Sequence, residues 1–245
     1  MQKTLFVLLA SLTLFGHQAF ALSAKEIMGK VEANWRGKSS HAVMTMTIRK
    51  PEWTRTISME YWNQGTTRSL IKILAPPKDK GIVYLRINKE LWNYLPSIER
   101  TIRIPPSMMM QSWMGSNFTN DDLVRESNLE RDYSQELLGE EKIAGYDSYR
   151  IQLIPKPNAP VVWSKIIAWI AKDTFVPLQE EFYDERGSLV NTLVFENIKK
   201  IDSRYFPRKW TMKATGKNEM TIMEISKIEV DIPLPPELFS LKSLK

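Results

Sequence analysis

The chain has 245 residues, 34 Lys and Arg against 28 Asp and Glu, and no cysteine. The missing cysteine excludes disulfides, thiolate zinc sites, iron–sulfur clusters, a cysteine nucleophile and a lipid-modified cysteine anchor. Apolar residues at 43% and charged residues at 25% describe a foldable globular chain, and a formal charge of +6 spread over this length is no polybasic tail.

Residues 1–21 read as a cleavable secretory signal peptide: Lys3, then an apolar run from Thr4 to Phe15, then Ala19-Phe20-Ala21 as an A-x-A cleavage site. Cleavage there leaves one domain, residues 22–245, with His41 as its only histidine. No later apolar run is long enough to span a bilayer, so the expected product is exported to the periplasm and not lipid-anchored.

The domain opens with a helix. Ser23 and Glu26 have capping-box spacing, Ile27, Val31 and Trp35 fall on one helical face, and Gly37 is placed to end it. Strand alternation follows, at 41–49 and 53–61. It recurs at 67–74, 82–88, 91–95, 101–104, 133–138, 146–154, 161–171, 178–183, 189–195, 207–213 and 221–230. Turn signals such as Asn63-Gln64-Gly65, Ala144-Gly145 and Asp184-Glu185-Arg186-Gly187 separate many of these runs. About a dozen short strands with tight turns predict an antiparallel barrel or sandwich. The run 161–171 is apolar on both faces, which predicts cover on both sides, by the helix on one of them.

Residues 105–127 break the strand period and carry Met108, Met109, Met110, Trp113, Met114 and Phe118. Thr119 reads as the cap of a short helix, with Asp121 and Asp122 in its first turn. A long connection this rich in large apolar side chains reads as a lid. Methionine suits surfaces that adapt to varied apolar ligands, so the 108–114 cluster is a candidate cavity lining for acyl chains.

Other chemistries are poorly served. A lone histidine beside a methionine-rich strand face supports neither a triad nor a metal site. Of the carboxylate pairs, Asp121/Asp122 have a capping role, Glu140/Glu141 a loop role, and Glu180/Glu181 point to opposite strand faces. No glycine-rich phosphate loop exists, and the dispersed basic residues, with a modest cluster at Arg100 and Arg103, suit anionic lipid better than nucleic acid. No cofactor is expected.

The stretch from Leu91 to Ile104 holds Trp92-Asn93-Tyr94-Leu95-Pro96, a W-x-Y-x-P strand followed by a basic strand. Residues 115–123 read Gly115-Ser116-Asn117-Phe118-Thr119-Asn120-Asp121-Asp122-Leu123, close to a G-[ST]-[DN]-F-[ST]-x-x-D-[LI] segment. Together with Leu137-Leu138-Gly139, Trp163-Ser164-Lys165 and Pro235-Pro236-Glu237-Leu238-Phe239, these resemble the outer-membrane lipoprotein-sorting protein family of the LolA/LolB-like superfamily. The resemblance implies a mainly β fold, an incomplete, half-open antiparallel barrel of about 10–12 strands with an N-terminal helix and a helical or loop lid. It implies a periplasmic, non-enzymatic carrier of lipoprotein acyl chains or free lipid, working with an inner-membrane transporter of the resistance-nodulation-division type. Trp92, Tyr94, Met108, Met109, Met110, Trp113, Met114 and Phe118 are then the expected lipid contacts, and Arg100 and Arg103 the lid-flank and docking residues. The competing expectations are a transporter adaptor that carries no lipid, and an envelope hydrolase built on a carboxylate pair that the fold brings together.

Overall fold

The computed structural model describes residues 22–124, 129–159 and 161–244. The expected signal peptide lies outside them. Thirteen strands form one antiparallel sheet. They are β1 (Ser39–Arg49), β2 (Thr54–Gln64), β3 (Arg68–Ala75), β4 (Val83–Ile87), β5 (Glu90–Leu95), β6 (Arg100–Ile104), β7 (Tyr133–Ile143), β8 (Tyr146–Pro155), β9 (Lys165–Ala171), β10 (Pro177–Tyr183), β11 (Leu189–Ile201), β12 (Arg204–Ala214) and β13 (Met220–Val230). The count exceeds the expected 10–12 because even the five-residue runs β4 and β6 pair along their whole length. The strand from 161 starts later than its apolar pattern suggested: Val161 N–H bonds Ala159 O in a turn, and the ladder begins at Lys165.

The strand order is β6-β5-β4-β3-β2-β1-β13-β12-β11-β10-β9-β8-β7, so every neighbour is a sequence neighbour except the β1–β13 pair. That pair runs in antiparallel register from Ser40↔Val230 to Arg49↔Met220. The two edges, β6 and β7, do not pair with each other, and the sheet stays an open barrel. Between those edges in the chain lies the connection from Pro105 to Asp132, whose described parts are residues 105–124 and 129–132.

Helix α1 (Ala24–Arg36) forms as its sequence dictates. The Ser23 side chain accepts from Glu26 N–H, and the Glu26 carboxylate accepts from Ser23 N–H at 2.8 Å. Ile27, Met28 and Val31 bury against Ile166, Ala168 and Ile170 of β9 and against Leu193 and Met212. Asn34 ties the helix to the sheet, donating to Thr174 O and Tyr205 O and accepting from Tyr205 N–H. Gly37 ends the helix at φ +58°, where a Cβ would fall 2.2 Å from Arg204 Nη1.

The concave face holds two clusters. One joins α1 to β7–β12, and the other joins β1–β5 to Trp113. On the convex face, Leu70, Val83 and Leu85 are covered by Phe239 and Leu244 of two C-terminal 3-10 turns, Pro236–Phe239 and Leu241–Leu244. Strand β9 is buried on both faces, as its sequence predicts. Helix α1 covers one side. The other is covered by the strand's own neighbours: Ile167 and Trp169 pack with Leu178, Ile143 and Tyr183, and Trp169 Nε1–H donates to Glu141 at 2.7 Å.

Candidate functional site

A cavity of about 250 Å³ lies inside the open barrel. Alternation builds its walls. Ala42 and Met44 on β1, Met59 and Tyr61 on β2, and Ile71 on β3 form one side. Ile166, Phe182, Leu193, Phe195, Met212, Met223 and Ile225 form the other, and Val31 and Glu32 enter from α1. Phe118, Asp121, Asp122, Leu129, Tyr133 and Trp163 close it from the connection. The lining is largely apolar, and no lysine, arginine or histidine appears in it among the described residues.

The connection divides into two parts. Its first part is a plug. Pro106–Met108 and Trp113–Gly115 are 3-10 turns, and Trp113 is fully buried against Tyr84, with ring centroids 5.4 Å apart. The Trp113 indole N–H is buried without a hydrogen-bond partner among the described residues. Main-chain bonds from Trp113 N to Phe118 O and from Asn120 N to Gln111 O cinch this loop at its base. Asn117 anchors it to the sheet: its N–H donates to Thr221 Oγ1 at 2.9 Å, and its carbonyl accepts from Asn191 Nδ2 at 3.3 Å.

The second part is a roof. Helix α2 (Asn120–Val124) starts with the capping arrangement that the sequence indicated. Thr119 N–H donates to Asp122 Oδ2 at 2.8 Å, and Asp122 N–H donates to Thr119 Oγ1 at 3.1 Å. The other oxygen of Asp122 accepts from Trp163 Nε1–H at 2.9 Å. Burial raises the Asp122 carboxyl above the usual range, and hydrogen bonds to it from Thr119 and Trp163 oppose the rise. Helix α3 (Leu129–Asp132) completes the roof and leads into β7.

The sheet brings Glu180 of β10 to the same end. Its cross-strand partners, Ala168 and Leu193, offer it nothing polar, and it makes no hydrogen bond or ion pair with a described residue. Burial, and then the charges of Asp122 and Glu32, push the Glu180 carboxyl up to about 7. Glu181 points to the opposite face, where its carboxylate accepts from Tyr183 Oη–H at 2.6 Å. The alternation argument separating Glu180 from Glu181 therefore holds, but it did not anticipate that Glu180 would meet Asp122.

Of the lipid contacts expected from sequence, Phe118 lines the cavity. Trp113, Met109 and Met114 pack into the cluster beside it, under β1–β5. Met108 and Met110, 38% and 55% exposed, lie on the outer surface. Trp92 and Tyr94 are on the convex face, packed in the cluster of Phe239 and Leu244 and away from the cavity. Arg100 and Arg103 sit on the edge strand β6, with Arg103 2.9 Å from Glu90. The methionines that line the cavity are Met44, Met59, Met212 and Met223, none of which the sequence reading singled out as a cavity residue. Their signal was available: flexible methionine at inward strand positions where branched residues are the usual choice.

A family model described as "-like: Uncharacterized protein" matches residues 65–245. The chain belongs to that family. Among solved structures, it is similar to a DUF1329 family protein from Desulfovibrio piger, with a TM-score of 0.86 and 24% identity over 91% of this chain and 98% of that one. A Vibrio parahaemolyticus domain described as an outer membrane lipoprotein-sorting protein gives 0.82 and 25% identity over 90% and 97%. A LolA superfamily protein from Nitrosomonas europaea gives 0.78 and 23% identity over 91% and 100%. The fold is LolA/LolB-like, as the sequence motifs implied. No curated protein matches the chain.

Proposed function

We propose that this protein is a periplasmic carrier that shields acyl chains of lipoproteins or free lipid on their way toward the outer membrane, receiving them from an inner-membrane transporter of the resistance-nodulation-division type. The observation that carries this reading is the largely apolar cavity under a roof that the Trp163–Asp122 hydrogen bond joins to the far wall. A volume of about 250 Å³ lies just below the roughly 300–1,000 Å³ of common ligand pockets and suits one chain at a time. Burying about a dozen methylenes contributes on the order of 10 kcal/mol gross, of which ordering the chain and moving the roof consume part. The lipoprotein-sorting description of the Vibrio parahaemolyticus domain supports the same reading.

In this reading the acyl contacts are Phe118 from the roof and Met44, Met59, Met212 and Met223 from the walls. Exposed Met108 and Met110 supply a transient membrane contact. Lipid extraction from protein purified out of the cell envelope, followed by mass spectrometry, tests the proposal. So does Ala42→Phe, which places a ring in the cavity from a buried wall position. The variant is expected to stay folded and to lose binding of a fluorescent fatty-acyl probe by more than about ten-fold. Clean wild-type protein that binds no such probe overturns the carrier reading.

A second reading, docking to the transporter without cargo, is favoured by the exposed edge strand β6 with Arg100 and Arg103. It expects Arg100→Glu/Arg103→Glu to abolish co-purification with the transporter while acyl binding is absent. The hydrolase reading has its carboxylate pair in Asp122 and Glu180, but both Asp122 oxygens are committed to structural donors. That leaves Glu180 without a free basic partner.

A further inference from the structure

The roof end of the cavity is chemically unlike the rest. Glu32 from α1, Asp121 and Asp122 from α2 and Glu180 from β10 all line it, within a largely apolar wall. A hydrocarbon tail terminus gains nothing from such a neighbourhood. Glu180 is half-buried, and a carboxyl that loses part of its hydration against an apolar wall and receives no hydrogen bond in return is costly. Asp122 is already used by Thr119 and Trp163. Glu180 is not used by any described residue, and the strands on either side of it supply only Ala168 and Leu193. Its carboxyl therefore faces the cavity as an open acceptor.

We propose that the cavity takes a long-chain lipid carrying a protonated amine, with the ammonium group lodged against Glu180 at the roof end and the chain running along Met44, Met59, Met212 and Met223. This rests on the carrier reading above and names the cargo class. The amine replaces repulsion among like charges with a charge-assisted hydrogen bond, roughly twice as strong as a neutral one. A hydroxyl head obtains only the neutral bond, and a phosphate or carboxylate head is repelled by the same carboxylates. The ammonium also stabilises the ionised form of Glu180. Since burial and the charges of Asp122 and Glu32 hold the free carboxyl up to about 7, binding strengthens as pH rises through that range. Among the described residues, the charged groups lining this end are Glu32, Asp121 and Asp122; Arg131 of α3 interacts electrostatically with Glu32 and is ion-paired to Asp132 at 3.0 Å.

The test is calorimetric titration of the delipidated protein with dodecylamine, dodecanol and dodecanoate at pH 8 and pH 5.5. Dodecylamine is expected to bind about ten-fold tighter than dodecanol at pH 8, with dodecanoate weakest and the preference shrinking at pH 5.5. Glu180→Gln is expected to lose the amine preference and keep dodecanol binding, which also reports that the variant is folded. Equal or tighter binding of dodecanol or dodecanoate overturns the amine assignment and leaves the carrier reading standing. So does an amine preference that survives in Glu180→Gln. Failure of all three ligands to bind wild-type protein overturns both.

Discussion

The two parts of the connection between β6 and β7 share one covalent segment and have opposite physical characters. The plug sinks one fully buried side chain, Trp113, into the core and is cinched by its own backbone bonds, while most of the segment around it faces outward. The roof, residues 118–124 and 129–132, is tied down by both backbone and side-chain hydrogen bonds and places carboxylates over an apolar cavity. Of the two, only the roof presents titratable groups to the cavity. A methionine-rich composition alone did not identify it, because the methionines of the connection belong to the plug and to the outer surface.

Four substitutions break or sharpen that contrast. The largest effect is expected at the plug. Trp113→Ala empties a fully buried site and should cost about 3–5 kcal/mol in chemical denaturation, with no change in the selectivity of the protein that remains folded. Next is Glu180→Gln. The folded carboxyl binds its proton more tightly than an unfolded one, so its contribution to stability is complete below the ordinary glutamate value of 4.5 and lost as pH rises through about 7. Wild-type stability should therefore fall by about 3 kcal/mol more than that of Glu180→Gln between pH 4 and pH 8. An equal pH slope for the two proteins would remove Glu180 from the cavity account.

Asp122→Ala removes half of the α2 capping arrangement and leaves the Trp163 indole N–H without its acceptor. The expected cost is about 1–2 kcal/mol, with faster amide exchange over 119–124 and little change around Trp113. Equal loosening of plug and roof would show that the two move as one body. The smallest effect belongs to Met110→Gln, an exposed position, within about 0.5 kcal/mol by thermal unfolding. A drop in vesicle association with unchanged stability would assign Met110 to the membrane contact.

The strands and the first helix were legible because each rests on a local period: alternation for β1–β13, a capping box and an i, i+4 stripe for α1. The direction of each strand face was not. In β5, Leu91 turns inward and Trp92 and Tyr94 outward, yet all three are large and apolar. Alternation separates two such faces without saying which is concave. The choice is made by Phe239 and Leu244, far along the chain, which cover the outer side. The Asp122–Glu180 neighbourhood was hidden for the same reason: its members are brought together by the sheet order and the roof, and neither carries a local signature. The hydrogen bond from Trp163 to Asp122 likewise joins two segments far apart in the chain, neither of which carries a sign of the other.

The single pairing of β1 with β13 has a kinetic consequence. Every other ladder joins consecutive strands, so hairpins on both sides can form early with little loop-closure entropy. Zipping Ser40–Arg49 against Met220–Val230 requires the intervening chain to be gathered first. The slowest step in assembling this sheet should be that seam at its centre, where two preformed half-sheets become one curved surface and the internal space first exists.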